Sequence, residues 1–343
     1  MAVGFSGSNG GIGLPIRVVS PNELTCNFFK KFPLEVSYFV NNVCNLHCKH
    51  CYVNYERHTG NLGLDEWRSI FETLIECGGR TFGNVGMEPL LSGRNTFDLL
   101  EFFAEKRQEY EDLRFGMVTN GIHLTSATAE ELVEIGIDYL DVSVDGQKSH
   151  DFIRGPGQYE LVLKNLAALP DPLKEKVFIS FNLNRITKDG LMPMVNELRD
   201  IGIRNFLISP YITVVQPELD KLWLAPKVIG EVVEQTLEEF VEEKDMGLYF
   251  KSEFQSSSEV MEEYLRRGFI DLGNISVDRY GTIFSNQGNA WFNYLPMDTT
   301  YIKDIRISHD GYVSGCLDMF FKDYPWRTRG NIREVPIASL LSY

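Results

Sequence analysis

Three cysteines fall within eight residues of one another and carry the clearest chemical signal in the chain. Cys44, Cys48 and Cys51 lie in the segment VNNVCNLHCKHCYVN with the spacing C-x3-C-x2-C. Thiolates so close together bind metal or exchange disulfides. A disulfide framework is disfavoured because the chain is 343 residues long and its first residues do not read as an export signal, so a cytoplasmic location is expected.

Three interpretations of the cysteines compete. A structural zinc site needs four ligands, and His47 or His50 is a candidate for the fourth, but no second cysteine pair follows. A redox pair of Cys48 and Cys51 leaves Cys44 unexplained. An iron–sulfur cluster held by three thiolates leaves one iron open for a ligand that the protein does not supply.

The elements that position these cysteines alternate between β-prone and helical segments. The predicted strands are Leu34–Val40, Arg80–Val85, Arg114–Thr119, Tyr139–Val144, Val177–Leu183 and Asn205–Ile208. The predicted helices are Leu64–Cys77, Phe97–Tyr110, Ala127–Ile135, Tyr159–Leu169 and Leu191–Ile201, and the segment DGQKSHDFIRGPG is predicted to be a loop. Six alternations predict an α/β fold with a parallel sheet, and they fit an open, incomplete barrel better than a closed one of eight units. The cysteines follow the first strand, where such barrels place active sites.

The pattern divides the chain into three parts. Residues 1–33 form an irregular lead-in, residues 34–214 the α/β core, and residues 215–343 a small α+β module. In that module we predict a long acidic helix, Leu224–Asp245, and a hairpin of Tyr301–Ile307 with Tyr312–Cys316.

The composition of the chain disfavours two classes of partner. Lys and Arg number 33 against 48 Asp and Glu, a net charge of −15, and no basic run is present, which disfavours a nucleic-acid partner. No apolar run approaches the ~18 residues needed to cross a bilayer, so no membrane partner is expected. A small molecule or a short peptide is the better expectation for the substrate.

Further motifs extend the cysteine signal. The triad and the aromatic Tyr52 are followed in order by GMEPLL (Gly86–Leu91), TNG (Thr119–Gly121), DVSVDG (Asp141–Gly146) with HDFIRG, and a fifth strand that carries Asn182. Together they resemble the radical S-adenosylmethionine (radical SAM) superfamily over residues 34–210.

That resemblance implies a [4Fe–4S] cluster on Cys44, Cys48 and Cys51, with S-adenosylmethionine (SAM) on the open iron and an electron donor such as flavodoxin or ferredoxin. A 5′-deoxyadenosyl radical would then take hydrogen from the substrate. It also implies a set of cofactor contacts, namely Tyr52, Gly86, Met87, Glu88, Asn120, Ser143, Asp145 and Asn182. Strand-end capping is the structural alternative for the polar members of this set. Met87 replaces the family's second glycine, and the simplest interpretation is a main-chain contact that tolerates a side chain pointing elsewhere.

The C-terminal module resembles the SPASM or twitch appendage of many radical SAM enzymes. Such modules hold an auxiliary cluster on several cysteines, whereas this one keeps only Cys316, and Cys26 and Cys77 are too scattered to complete a set. We therefore predict a single cluster. Cys316 is a candidate hydrogen donor to a substrate radical, and simple burial in a hairpin is the alternative.

Two enzyme hypotheses follow, together with a third of another class. One is a radical SAM enzyme acting on a small polar natural-product precursor such as a sugar, aminocyclitol or nucleoside. The other is a maturase that epimerises or crosslinks a ribosomally made peptide. It is less favoured because only 33 residues precede the first strand, too few for a leader-binding domain. A non-enzymatic iron–sulfur regulator would not need the SAM motifs.

Overall fold

The computed structural model describes residues 34–51, 53, 60–211, 221–240, 243–253, 257–271, 273, 275–277, 283–295, 304–314 and 328–341. The predicted lead-in of residues 1–33, with Cys26, and the residues Tyr52 and Cys316 lie outside these ranges, so what the sequence indicates for them stays a prediction. Within them, no helix is both long and apolar enough to cross a membrane.

Helices alternate with strands through most of the chain. The strands are β1 (Leu34–Tyr38), β2 (Gly79–Asn84), β3 (Arg114–Thr119), β4 (Tyr139–Ser143), β5 (Val177–Leu183), β6 (Asn205–Pro210), β7 (Gly247–Glu253), β8 (Ile275–Val277), β9 (Ile283–Gln287), β10 (Ala290–Leu295), β11 (Asp304–Ile307), β12 (Tyr312–Ser314) and β13 (Gly330–Asn331). The helices are α1 (Leu64–Glu76), α2 (Arg94–Lys106), α3 (Ser126–Ile135), α4 (Gln147–Arg154), α5 (Gln158–Ala167), α6 (Asp171–Lys174), α7 (Leu191–Asp200), α8 (Pro226–Phe240), α9 (Ser257–Arg266) and α10 (Ile337–Leu340).

Strands β1 to β6 are neighbours in chain order, and every pair among them is parallel. Along β4, β5 and β6 a buried residue alternates with a partly buried one, because one face packs on the helices and the other lines the interior of the curved sheet. The parallel α/β fold predicted from the sequence is confirmed.

The C-terminal strands extend this same sheet at both edges. β7 pairs with β6 in parallel and leads on to β10, β9 and β8, whereas β11 pairs with β1 in parallel and leads on to β12 and β13. The division predicted at residue 214 falls between two neighbouring strands, and as a domain boundary it stays a prediction.

One predicted loop is a helix. The segment after β4 forms α4, which buries His150 and Ile153, three residues apart on one face. Its sequence, QKSHDFIR, is too polar to show an apolar stripe, which explains the wrong prediction. The helix matters because it carries Arg154 to the cysteine loop.

An aromatic cluster supports the strand that leads into the cysteines. Tyr38 at the end of β1 packs edge-on against Phe71, with ring centroids 4.8 Å apart, and Phe71 stacks on Trp67 at 5.2 Å. Phe103 of α2 lies 4.7 Å from Phe82 of β2. These side chains are almost completely buried, so β1 ends at a rigid position.

Candidate active site

The cysteine loop begins directly after β1 and is fastened at several points. Cys44, Cys48 and Cys51 are free thiols and partly buried. The Leu46 N–H points at the Cys44 sulfur, at 3.5 Å, and the Cys51 N–H donates to the Cys48 carbonyl at 3.0 Å. Lys49 donates its N–H to the carbonyl of Ile153, at 3.0 Å, which ties the loop to α4.

The three thiols lie close enough to influence one another. Burial raises the pKa of Cys48 to about 11, Arg154 opposes the rise, and the charges of Cys51 and Cys44 add to it. Burial also raises the pKa of Cys44. Among the described residues no three His, Cys, Asp or Glu side chains are grouped tightly enough for one metal ion. Three thiols that each bind a different iron of one cluster do not need that closeness, so the donor set fits a [4Fe–4S] cluster.

The GMEP segment after β2 lies directly on this loop. Glu88 donates its N–H to the carbonyl of Val43 at 3.0 Å, and the Asn41 side-chain amide donates to the Glu88 carbonyl at 2.9 Å. Gly86 has a φ of +78°, and a Cβ there would lie 1.9 Å from the Phe39 ring, so only glycine fits.

The Glu88 side chain is turned inward. It is fully buried, and its carboxylate accepts the Thr119 hydroxyl at 2.8 Å, the Asn120 N–H at 2.8 Å and the Leu90 N–H at 3.1 Å. The Asn120 side chain in turn donates to the Asn45 side-chain oxygen at 2.7 Å. Glu88 therefore joins the ends of β2 and β3 and, through Asn120, supports the residue next to Cys44.

An ion pair that sequence reasoning missed lies on the other side of the loop. The Arg154 Nε donates to the Asp145 carboxylate at 2.7 Å, and its Nη1 lies 3.9 Å from the Cys48 sulfur. Asp145 is fully buried, and burial alone would raise its pKa, but the Arg154 guanidinium holds the pKa of that carboxyl below its usual range. Its other oxygen accepts the N–H of Asn182 at 3.1 Å.

Ser143 and Asn182, two further residues predicted from the sequence, lie at or near the ends of neighbouring strands. Ser143 closes β4 and is partly buried, and Asn182 lies one residue before the end of β5. The Asn182 side-chain oxygen accepts the side-chain amide of Asn184 at 2.9 Å. Both lie at the same edge of the sheet as Asp145 and the cysteine loop, as expected for strand ends of a parallel barrel.

The polar cluster contains a buried neutral histidine with a consequence for acid stability. His150 is fully buried and accepts the Asp145 N–H on Nδ1 at 3.2 Å. Burial, helped by the nearby Arg154 charge, lowers its pKa from 6.5 to about 4. Between these values the unfolded chain binds a proton that the folded chain does not, so stability falls as pH falls from 6.5 towards 4.

We expect this residue to cost about 2 kcal/mol of stability at pH 5, because each pKa unit is worth about 1.4 kcal/mol. His150→Gln keeps an acceptor but cannot titrate, so its melting temperature should fall less than that of the wild type between pH 7 and pH 5. Burial also lowers the pKa of His50 to about 4, so part of the fall in melting temperature should persist in His150→Gln. Equal falls in the two proteins would contradict the assignment.

Three strands of the sheet also carry polar side chains that influence one another. Asp141 of β4 accepts the Ser180 hydroxyl of β5 at 2.6 Å. Burial raises the pKa of Asp141, and this hydrogen bond and the charge of Lys251 on β7 oppose the rise. β7 is three strands from β4, about 14 Å along a flat sheet. The Lys251 ammonium is therefore near enough to the Asp141 carboxyl to act on its pKa, as it would be in a curved sheet.

Comparison with known proteins agrees with this arrangement. Residues 38–198, which contain the cysteine loop, GMEP, Asp145 and Arg154, match the profile of the radical SAM superfamily. This segment is therefore of the radical SAM type. Its cofactors are those of the superfamily, a [4Fe–4S] cluster and SAM.

Individual radical SAM proteins resemble parts of the chain. An AdoMet-dependent heme synthase of Nitratidesulfovibrio vulgaris is 28% identical over 162 residues, which cover 46% of this chain and 41% of that protein. A probable GTP 3′,8-cyclase of Methanopyrus kandleri is 30% identical over 172 residues, 49% of this chain and 53% of that protein. The match thus spans about half the length of these curated relatives.

The fold likeness extends further along the chain. The structure of Streptococcus suis SuiB bound to its precursor peptide SuiA has a TM-score of 0.68 at 15% identity, and the alignment covers 94% of this chain and 68% of SuiB. The radical SAM core and the C-terminal strands of this chain therefore share a fold with that protein.

Proposed function

We propose that the chain is a single-cluster radical SAM enzyme that reductively cleaves SAM to a 5′-deoxyadenosyl radical and takes hydrogen from a small polar natural-product precursor. A sugar, an aminocyclitol and a nucleoside are the substrate types we favour. Electrons would come from a carrier such as flavodoxin or ferredoxin. The alternative is a maturase of a ribosomally made peptide.

The chain's own residues divide the work around the two cofactors. Cys44, Cys48 and Cys51 would hold the cluster. The Arg154 cation offsets negative charge at Cys48, and Asp145 keeps that guanidinium in place. Glu88 fixes the GMEP backbone, which would meet SAM, against the cysteine loop. Ser143 and Asn182, at neighbouring strand ends, would contact SAM.

Polar and charged side chains on the sheet support the proposed substrate class. The Asp141 carboxylate accepts the Ser180 hydroxyl, and the charge of Lys251 acts on the pKa of Asp141. A molecule with hydroxyl or amino groups can hydrogen-bond to such side chains, which an apolar molecule cannot. Two of the curated relatives are named for heme and GTP, which also favours a small molecule. SuiB binds a precursor peptide, and at 15% identity that likeness concerns the fold alone.

We propose that the C-terminal module is SPASM-like or twitch-like and carries no auxiliary cluster. Although the sequence disfavours disulfides, Cys77 is buried and disulfide-bonded, so its thiolate is not available as a ligand. Cys316 remains our candidate hydrogen donor. In that role Cys316→Ala would still form 5′-deoxyadenosine but would stop before product.

We expect anaerobically reconstituted protein to contain about four irons and four sulfides per chain, because one triad holds one cluster. With a strong reductant and no substrate it should convert SAM slowly to methionine and 5′-deoxyadenosine in equal amounts. Iron and sulfide analysis and chromatography of the nucleoside products make the measurement. About eight irons would contradict the single cluster, and methylthioadenosine as the main product would contradict the proposed cleavage.

The substrate class is tested by which compounds accelerate that cleavage. Sugars, aminocyclitols and nucleosides are compared with short peptides, with deuterium transfer to 5′-deoxyadenosine as the readout. Lys251→Met serves as a matched variant, because it should lose the acceleration while keeping the substrate-free rate within about twofold. Acceleration by peptides alone would favour the maturase.

A further inference from the structure

Met87 has a backbone conformation that its residue type disfavours. Its φ is +52°, and among the described residues it is the one non-glycine with a positive φ. A left-handed conformation costs a side-chain-bearing residue of this kind about 1–2 kcal/mol relative to glycine. Glycine would avoid that cost, so we expect the contacts of the Met87 side chain to offset it.

Met87 packs against the entry of the cysteine loop, on the same side chain that the exit of the loop packs against. Phe39 is almost completely buried, and Met87, Val53 and Val85 all pack against it. Phe39 stands five residues before Cys44, and Val53 stands two residues after Cys51. The entry of the loop is also held by hydrogen bonds from the GMEP segment, at Asn41 and Val43, whereas Val53 at the exit is held by this apolar contact.

We infer that Met87 is a positioning residue that closes the cysteine loop by joining its exit, at Val53, to its entry, at Phe39. The strained backbone is kept because a glycine would have no side chain to bridge the two. Met suits such a site, since its flexible thioether chain fills irregular gaps between apolar groups. The inference rests on the proposed function, because it takes this loop as the one that binds the cluster.

The test measures the loop without its cluster. The full-length cluster-free protein is treated with an alkylating reagent, and the modification rates of Cys44 and Cys51 are followed by mass spectrometry. Met87→Gly should raise the rate at Cys51 about fivefold or more, because the loop exit opens more often. The rate at Cys44 should stay within about twofold, since hydrogen bonds hold the entry. Met87→Leu, which keeps an apolar side chain at the strained position, should resemble the wild type.

A second variant approaches the contact from its other side. Val53→Ala should reproduce the Cys51 effect, and the double variant with Met87→Gly should add little, because both remove the same contact. In the reconstituted enzyme the same variants should release iron to a chelator faster than the wild type and Met87→Leu. An unchanged Cys51 rate in both Met87→Gly and Val53→Ala would overturn the inference. It would leave the proposed function intact, which is judged separately by iron content and SAM products.

Discussion

Replacing Cys48 by alanine is expected to abolish both the brown iron–sulfur chromophore and the cleavage of SAM. Two thiolates cannot retain a cluster that needs three, so the same total loss is expected for Cys44→Ala and Cys51→Ala. The measurements are the visible absorption of the reconstituted protein, its iron content and the yield of 5′-deoxyadenosine.

His47→Ala is the matched control for this prediction. His47 is exposed and lies between Cys44 and Cys48, so its removal perturbs the same loop without removing a thiol. It should keep the chromophore and the SAM cleavage. A cysteine variant that retained the sulfur-to-iron absorption would remove that residue from the ligand set. Loss of the cluster in His47→Ala would show that the cluster needs this histidine as well.

Arg154→Met is expected to destabilise the fold and to weaken cluster binding together. The substitution leaves the fully buried Asp145 carboxylate without its cation, and breaking a buried pair from one side costs about 3–5 kcal/mol. It also removes the positive charge beside Cys48, and losing such a supporting group costs about 10–100-fold in metal affinity or activity. Urea unfolding of the cluster-free protein measures the first effect, and chelator competition measures the second.

Two further variants separate the two parts of this effect. Arg154→Met combined with Asp145→Asn should regain much of the stability, since no unpaired charge remains, while the cluster stays labile. Arg154→Lys keeps the charge but cannot span both partners as the guanidinium does, so an intermediate result is expected. If Arg154→Met unfolded at the same urea concentration as the wild type, the pair would not be the support that its geometry implies.

The core elements were predictable because their signals are local. Predicted strands such as Arg114–Thr119 and Val177–Leu183 match β3 and β5 residue for residue, since a short, mostly apolar segment of β-prone residues is recognised without distant information. Helix α4 was missed because it buries only His150 and Ile153, and a histidine does not register as part of an apolar stripe. Because α4 was not predicted, the position of Arg154 beside the cysteine loop was also missed. In a helix, Arg154 lies one turn after His150, since HDFIR places it four residues later.

The side-chain directions at the site were less predictable than the positions. Sequence placed Glu88 beside SAM, but its carboxylate is taken up by Thr119, Asn120 and Leu90, which are brought to it only by the pairing of β2 with β3. The C-terminal strands show the same limit. Nothing local in Asp304–Ile307 indicates that it pairs with β1, because strand pairing between distant segments leaves no periodic signal.

The pairing of β11 with β1 also affects the order in which parts of the sheet can form during synthesis. During synthesis the core strands emerge early, but the outer edge of β1 stays open until residues 304–307 leave the ribosome, more than 260 residues later. An unpaired edge beside reactive thiols is a point where nascent chains associate or oxidise. The main chain of Phe39 donates to Ile307 across this late contact, so the approach to the cysteines reaches its final geometry only near the end of translation. The cysteine loop therefore gains its full main-chain support only after the C-terminal segment has been made.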